Sequence, residues 1–142
     1  MWVFVLNINY LAVLVAAVAA FVIGWVWHSP VLFGKAWMKL SNMDKKKIEE
    51  HKKSGKMGPS LFFQFVATLV TGYILAHFVS YVGAKTAMGG VVLGFWVWLG
   101  FFATTQLGMV LWENKPFKLY LISTLHYLVT LAVMGAILTV WV

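Results

Sequence analysis

The chain has 142 residues, 62% of them hydrophobic and 11% charged, whereas soluble domains carry about 25% charged residues, so an ordinary soluble fold is excluded. The formal charge of +7 comes from lysines without any arginine; because arginine makes the commonest base-reading contacts, we expect no nucleic-acid partner. The absence of cysteine excludes disulfides and cysteine-ligated metal or iron–sulfur sites.

The first apolar segment covers residues 6–28 and contains no charged residue. It is long enough to cross about 30 Å of hydrocarbon, which takes about 20 apolar residues. No basic segment precedes it, so we interpret it as a retained helix and not as a signal peptide. Pro30 predicts that the helix ends near Ser29. Small residues at every fourth position predict a face for close helix packing: Ala12, Ala16, Ala20 and Gly24.

A polar, lysine-rich insert follows at residues 33–58. Asp44 resembles a helix N-cap and Gly55 a helix stop, which together predict a short surface helix. Its lysines cannot lie in hydrocarbon. We expect the insert from Lys35 to Lys56 to lie against anionic lipid head groups, where each lysine near the surface contributes about 1 kcal/mol.

Three further apolar segments, residues 60–82, 90–112 and 117–141, predict three more membrane helices. Gly90 and Gly94 form a Gly-xxx-Gly pair, and a stripe of small residues continues toward Gly108, as is typical of helix contacts. The predicted fold class is therefore all-α: a polytopic membrane protein with four transmembrane helices. Residues 1–142 form a single domain in this prediction, with a short cytoplasmic insert between the first and second helices.

The lysine distribution predicts how the chain crosses the membrane. Ten of the eleven lysines lie in or beside the first and third connections, and only Lys85 lies in the second. The positive-inside rule then places both termini outside the cytoplasm. Trp2 and Trp141 are expected at the outer boundary, where tryptophan is enriched.

Several polar residues are predicted to share one depth, about 12 to 18 Å from the cytoplasmic boundary at about 1.5 Å per residue: Thr68, Thr71, Thr104, Thr105, His126 and Tyr127. Threonines often bond to carbonyls of their own helix, so a structural role is the simpler interpretation for them. An ionisable side chain near the midplane normally faces the bundle interior or a wet cavity. His126 is therefore either a switch on an ion pathway or a satisfied core histidine, with His28 and Glu113 at its cytoplasmic mouth or acting as tethers.

No pattern in the sequence indicates an enzyme. The histidines lack the matched depth of a haem pair and the spacing of metal ligands, and no nucleotide-binding glycine loop or hydrolase serine motif occurs. We therefore predict no catalytic residue, no cofactor and no metal.

Three functional hypotheses remain open. The first is a small oligomeric channel or transporter-like protein for an ion or small solute, with a polar site in mid-membrane. The second is a non-transporting interaction or assembly protein, in which the polar residues join helices at about 0.6 kcal/mol each. The third is a membrane enzyme or a haem- or lipid-binding protein. The small-residue faces and the small size favour a homo-oligomer.

Landmarks along nearly the whole chain resemble the small bacterial membrane-protein family catalogued as domain of unknown function number seventeen sixty-one. Its most specific part is the pattern Ser-Pro-x-x-Phe-Gly-Lys-x-Trp, which begins at Ser29. The resemblance implies four membrane helices and no established activity. We expect the protein in the bacterial cytoplasmic (inner) membrane. The other landmarks are Asn9-Tyr10-Leu11-Ala12, Gly100-Phe101 with Thr104-Thr105, Glu113 with Lys115-Pro116, and His126 with Met134-Gly135-Ala136.

Overall fold

A computed structural model describes residues 7–141, and this part of the chain contains helices and no strand. Four helices are long and apolar enough to cross a membrane, which confirms the predicted all-α fold. The predicted start of the first helix at residue 6 and the anchor Trp2 lie outside the described residues. The helices are α1 Tyr10–Trp27, α2 Gly34–Leu40, α3 Lys45–Lys53, α4 Met57–Val82, α5 Ala87–Leu111 and α6 Phe117–Val140.

Helix α1 is bounded by an N-cap and by the turn that precedes Pro30. The Asn9 side chain accepts a hydrogen bond from the Ala12 amide at 3.1 Å, which satisfies one of the free donors at the helix start. The helix ends at Trp27, two residues before the position that Pro30 predicted. The Trp27 indole then donates to the Ile122 carbonyl on α6 at 3.0 Å, so the corner after α1 is attached to α6.

The polar insert folds into two short helices. Asp44 caps α3 by accepting from the Lys47 amide at 2.8 Å, and Gly55 follows with a left-handed φ of 77°. No residue of α3 is buried, so it is a surface helix, as predicted. Glu49 pairs loosely with Lys52 at 3.9 Å.

Helix α6 lies at the centre of the bundle and contacts α1, α4 and α5. Helices α1 and α6 run antiparallel, because the Asn9 side chain at the start of α1 bonds to the Trp141 carbonyl after α6. Helices α5 and α6 are also antiparallel, since Gly90 meets Gly135 and Gly94 meets Leu131. The first and third connections therefore share one end of the bundle. We call it the lysine-rich end, and the opposite end the terminal end.

Small residues allow the closest helix contacts. Ala12, Ala16 and Ala20 of α1 are buried, which confirms the packing face predicted for that helix. On α5, a methyl group at Gly94 would collide with the Leu131 backbone of α6, and one at Gly90 would collide with the Gly135 backbone. The α5–α6 pair can therefore approach this closely only without side chains at those positions.

The middle of α5 is a π-helix over Trp98–Ala103. A π segment places an extra residue in the helix, and successive residues of an α-helix are about 100° apart. The side chains after Ala103 are therefore rotated by about 100° from the directions they would have in an uninterrupted α-helix. Tyr120 of α6 donates to the Ala103 carbonyl at 2.7 Å and fixes the end of the wide segment.

Helices α4 and α5 diverge toward the lysine-rich end. Each packs against α6, but in the described chain the two make no extensive contact with each other. The half of α4 nearest the insert is largely exposed, whereas the half near the terminal end contributes Leu75 and Val79 to the core. The divergence leaves a space between the helices.

Candidate functional site

A cavity of about 1010 Å³ lies between α1, α4, α5 and α6. Its mouth is at the lysine-rich end, where His28, Trp37 and Glu113 line it. Its inner end lies among Thr71, Thr130 and Met134. Met134 is 0% exposed and belongs to the packed core that continues toward the terminal end, so the cavity is closed near the middle of the helices.

The cavity brings together seven of the eight residues that the sequence predicted as site candidates. They come from α4, α5 and α6 and from the connections after α1 and α5: His28, Thr68, Thr71, Thr105, Glu113, His126 and Tyr127. Thr104 is not among the lining residues. It lies on the exposed side of α5 and donates to the Gly100 carbonyl at 2.8 Å.

Three threonines of the wall use their hydroxyl protons within their own helix. Thr68 donates to the Gln64 carbonyl at 2.8 Å, Thr71 to the Ala67 carbonyl at 3.1 Å, and Thr105 to the Phe101 carbonyl at 2.6 Å. This is the structural bond expected of threonine in a membrane helix. The oxygen of each hydroxyl remains available as an acceptor.

Three other buried polar atoms of the wall have no hydrogen-bond partner among residues 7–141: Gln106 Oε1, His126 Nε2 and Thr130 Oγ1. Thr130 is only 7% exposed. The comparable Thr139, which lies further along α6, donates to the Gly135 carbonyl at 2.7 Å. A buried polar group without a partner costs about 1–3 kcal/mol, so these three atoms require water or a ligand in the cavity.

His126 lies beside the corner that follows α1. Its ring centroid is 5.2 Å from that of His28 and 6.0 Å from that of Trp27. A methyl group at Gly24 would lie 3.3 Å from His126 Nε2, so the absence of a side chain there leaves room for the imidazole. The His28 ring nitrogen Nδ1 is 2.9 Å from the Gly24 carbonyl, which tethers His28 to its own helix.

The charges of the wall are sparse. Among the described residues that line the cavity, Glu113 at the mouth is the single carboxylate, and none is a lysine. The inner part combines uncharged hydrogen-bonding groups with His126 and with aromatic and aliphatic side chains such as Phe102 and Leu131. Ligand sites in proteins commonly have this pattern of apolar walls with few convergent polar groups.

Sequence reasoning missed Gln106 and Thr130. Thr130 could have been found, because it lies one turn after His126 on the same face of α6. Gln106 could not have been assigned by regular periodicity, because the π segment before it changes which way the following residues face.

The geometry does not indicate a metal centre. Within the described part of the chain, no group of three or more His, Asp or Glu side chains is placed to hold a metal ion. The site is defined by hydrogen-bonding groups instead.

The four apolar helices fit a multi-pass membrane protein, here with a polar cavity inside its helix bundle. The family described as "Protein of unknown function (DUF1761)" matches residues 11–139, and the chain belongs to that family. No curated protein and no solved structure matches the chain.

Proposed function

We propose that this protein is a transporter-type membrane protein that binds a small solute in the cavity. The observation that carries the proposal is the set of three buried, unpartnered polar atoms on the wall, at Gln106, His126 and Thr130. Free hydrogen-bonding groups inside a membrane-spanning bundle are expensive and are typical of substrate pathways. A solute or water that enters the cavity satisfies them.

The closed inner end favours a carrier over an open channel. The cavity reaches Met134, and packed side chains including Leu75 and Leu138 occupy the rest of the bundle. A carrier exposes its site to one side at a time, with the site near the bilayer midplane. In an assembly protein, polar groups would bond across helix interfaces, whereas these three atoms do not bond to one another or to any other described residue.

Cysteine accessibility tests the proposal directly, because the chain has no native cysteine. Thr71→Cys places a thiol at the inner end of the cavity. Only a thiol in water ionises to the reactive thiolate. We expect a membrane-impermeant methanethiosulfonate to modify Thr71→Cys in sealed vesicles when it is added at the lysine-rich side, and not when it is added at the other side.

Two matched controls accompany this variant. Val70→Cys is the neighbouring position, 55% exposed on the outer face of α4, and Thr139→Cys lies in the packed core. Neither should react. Modification of Thr71→Cys from both sides would indicate a channel, and no modification from either side would show that the cavity is dry and contradict the proposal.

Orientation, lipid contacts and assembly complete the proposal. The lysine-rich end faces the cytoplasm of a bacterial inner membrane, its lysines contact anionic head groups, and the protein forms a homo-oligomer. Native mass spectrometry from nanodiscs containing anionic lipid counts subunits and retained lipids together. A bare monomer would contradict both the assembly and the lipid contact.

A further inference from the structure

One side of the cavity has no helix to close it. The wall includes Leu61 and Ala67 of α4 and Thr105 and Met109 of α5, but α4 and α5 make no extensive contact in the described chain. Leu61, Ala67 and Thr105 are exposed. Because both helices span the membrane, the opening between them faces lipid, and a molecule dissolved in the bilayer can reach the cavity there.

The inner end of the cavity suits a hydroxyl group. Thr130 Oγ1 and His126 Nε2, one turn apart on the same face of α6, are both unpartnered and can each donate or accept a hydrogen bond. A hydroxyl likewise both donates and accepts, so it can satisfy both of these groups at once. A carbonyl could only accept.

The rest of the cavity suits an apolar body without charge. Phe21, Phe102, Leu61 and Met109 line it. An ion would lose its hydration there without a counter-charge, since Glu113, the single acid of the described wall, lies at the mouth.

From this combination we infer that the ligand is an uncharged amphipathic molecule, with a hydroxyl that binds at His126 and Thr130 and an apolar body that extends toward the opening between α4 and α5. The inference rests on the proposed function, because it names the class of molecule that the same cavity binds. A water-soluble solute or an ion would have no use for the lipid-facing opening.

Protection of the Thr71→Cys thiol tests the ligand class. The probe is 4-octylphenol, and the comparison compounds are octylbenzene, which has the same body without a hydroxyl, and xylitol, which has hydroxyls without an apolar body. At a concentration that occupies about nine in ten sites, we expect 4-octylphenol to slow thiol modification roughly tenfold. Octylbenzene and xylitol should leave the rate unchanged.

Two substitutions locate the hydroxyl. In the Thr71→Cys background, Thr130→Val should raise the half-protecting concentration of 4-octylphenol by roughly three- to tenfold, as for one lost hydrogen bond. Gln106→Leu, which lies closer to the lysine-rich end, should leave that concentration unchanged. Thr104→Val is the matched control, because that hydroxyl lies outside the cavity, and it should have no effect. Without 4-octylphenol, each variant should be modified at the same rate as Thr71→Cys alone, which shows that it is folded with an open cavity.

The outcomes separate the inference from the proposed function. If the thiol reacts from one side but 4-octylphenol does not protect it, the ligand class is wrong and the transporter proposal stands. Protection by xylitol, or equal protection by octylbenzene, would also overturn the ligand class. A thiol that never reacts would contradict the proposed function, and this inference with it.

Discussion

At the scale of single residues, the threonines separate structural from functional hydroxyls. Thr68, Thr71, Thr105 and Thr139 donate to carbonyls of their own helices, whereas the buried Thr130 hydroxyl has no partner in the described structure. Proteins tolerate such a violation of hydrogen-bond satisfaction mainly at functional sites. Removal of the Thr130 hydroxyl should therefore maintain or raise the stability of the protein but weaken ligand binding.

Thr130→Val should leave the free energy of unfolding unchanged or raise it by up to about 1 kcal/mol, because an unpaired buried hydroxyl is replaced by a methyl group of the same shape. Tyr120→Phe should lower it by about 1–2 kcal/mol, since the Ala103 carbonyl loses a donor. Reversible unfolding in mixed detergent micelles measures both. Equal destabilisation of the two variants would mean that the Thr130 hydroxyl has a partner within the protein.

At the scale of the elements, the sequence predicted the four spanning helices well because each one is a long apolar segment between polar connections. It predicted the contact face of α5 only as far as the π segment. The buried positions Gly90 and Gly94 recur at four-residue spacing, but after Trp98 the next buried residue is Ala103, at 7% exposure, while Phe101 is 64% exposed. That five-residue step turns Thr104 outward and Gln106 inward, and hydrophobic periodicity carries no signal for it.

The same shift divides the glycines of α5 into two kinds. Gly94→Ala should lower the free energy of unfolding by about 1–3 kcal/mol, the usual cost of overpacking, because the added methyl group meets the Leu131 backbone of α6. Gly100→Ala should be neutral or stabilising by up to about 1 kcal/mol, since no described atom lies within 4 Å of the added group and alanine favours helix. Detergent unfolding of both variants compares them. A larger loss at Gly100 would indicate that another copy of the chain packs on that face.

At the scale of the whole molecule, charge and cavity are both asymmetric. The mouth of the cavity and ten of the eleven lysines lie at the same end of the bundle. The lysines around the mouth can hold that end at an anionic membrane surface, while none lines the described cavity wall. Membrane orientation thus decides from which compartment the site is reached, and the proposed direction of binding depends on it.

A reporter fused after Val142, a residue outside the described structure, tests the orientation. We expect a reporter that is active only in the cytoplasm to be silent there, and one that is active only outside to give signal, because the positive-inside rule holds the lysine-rich end in the cytoplasm. Replacing Lys45, Lys46 and Lys47 by glutamine and adding three lysines beside Lys85 should shift part of the population to the opposite orientation, since charge near the helix ends sets the topology. The three glutamine substitutions alone leave most of the asymmetry and should not. Cytoplasmic activity from the unmodified fusion would show that the true orientation is the opposite one. The thiol at position 71 would then have to react from outside the cell.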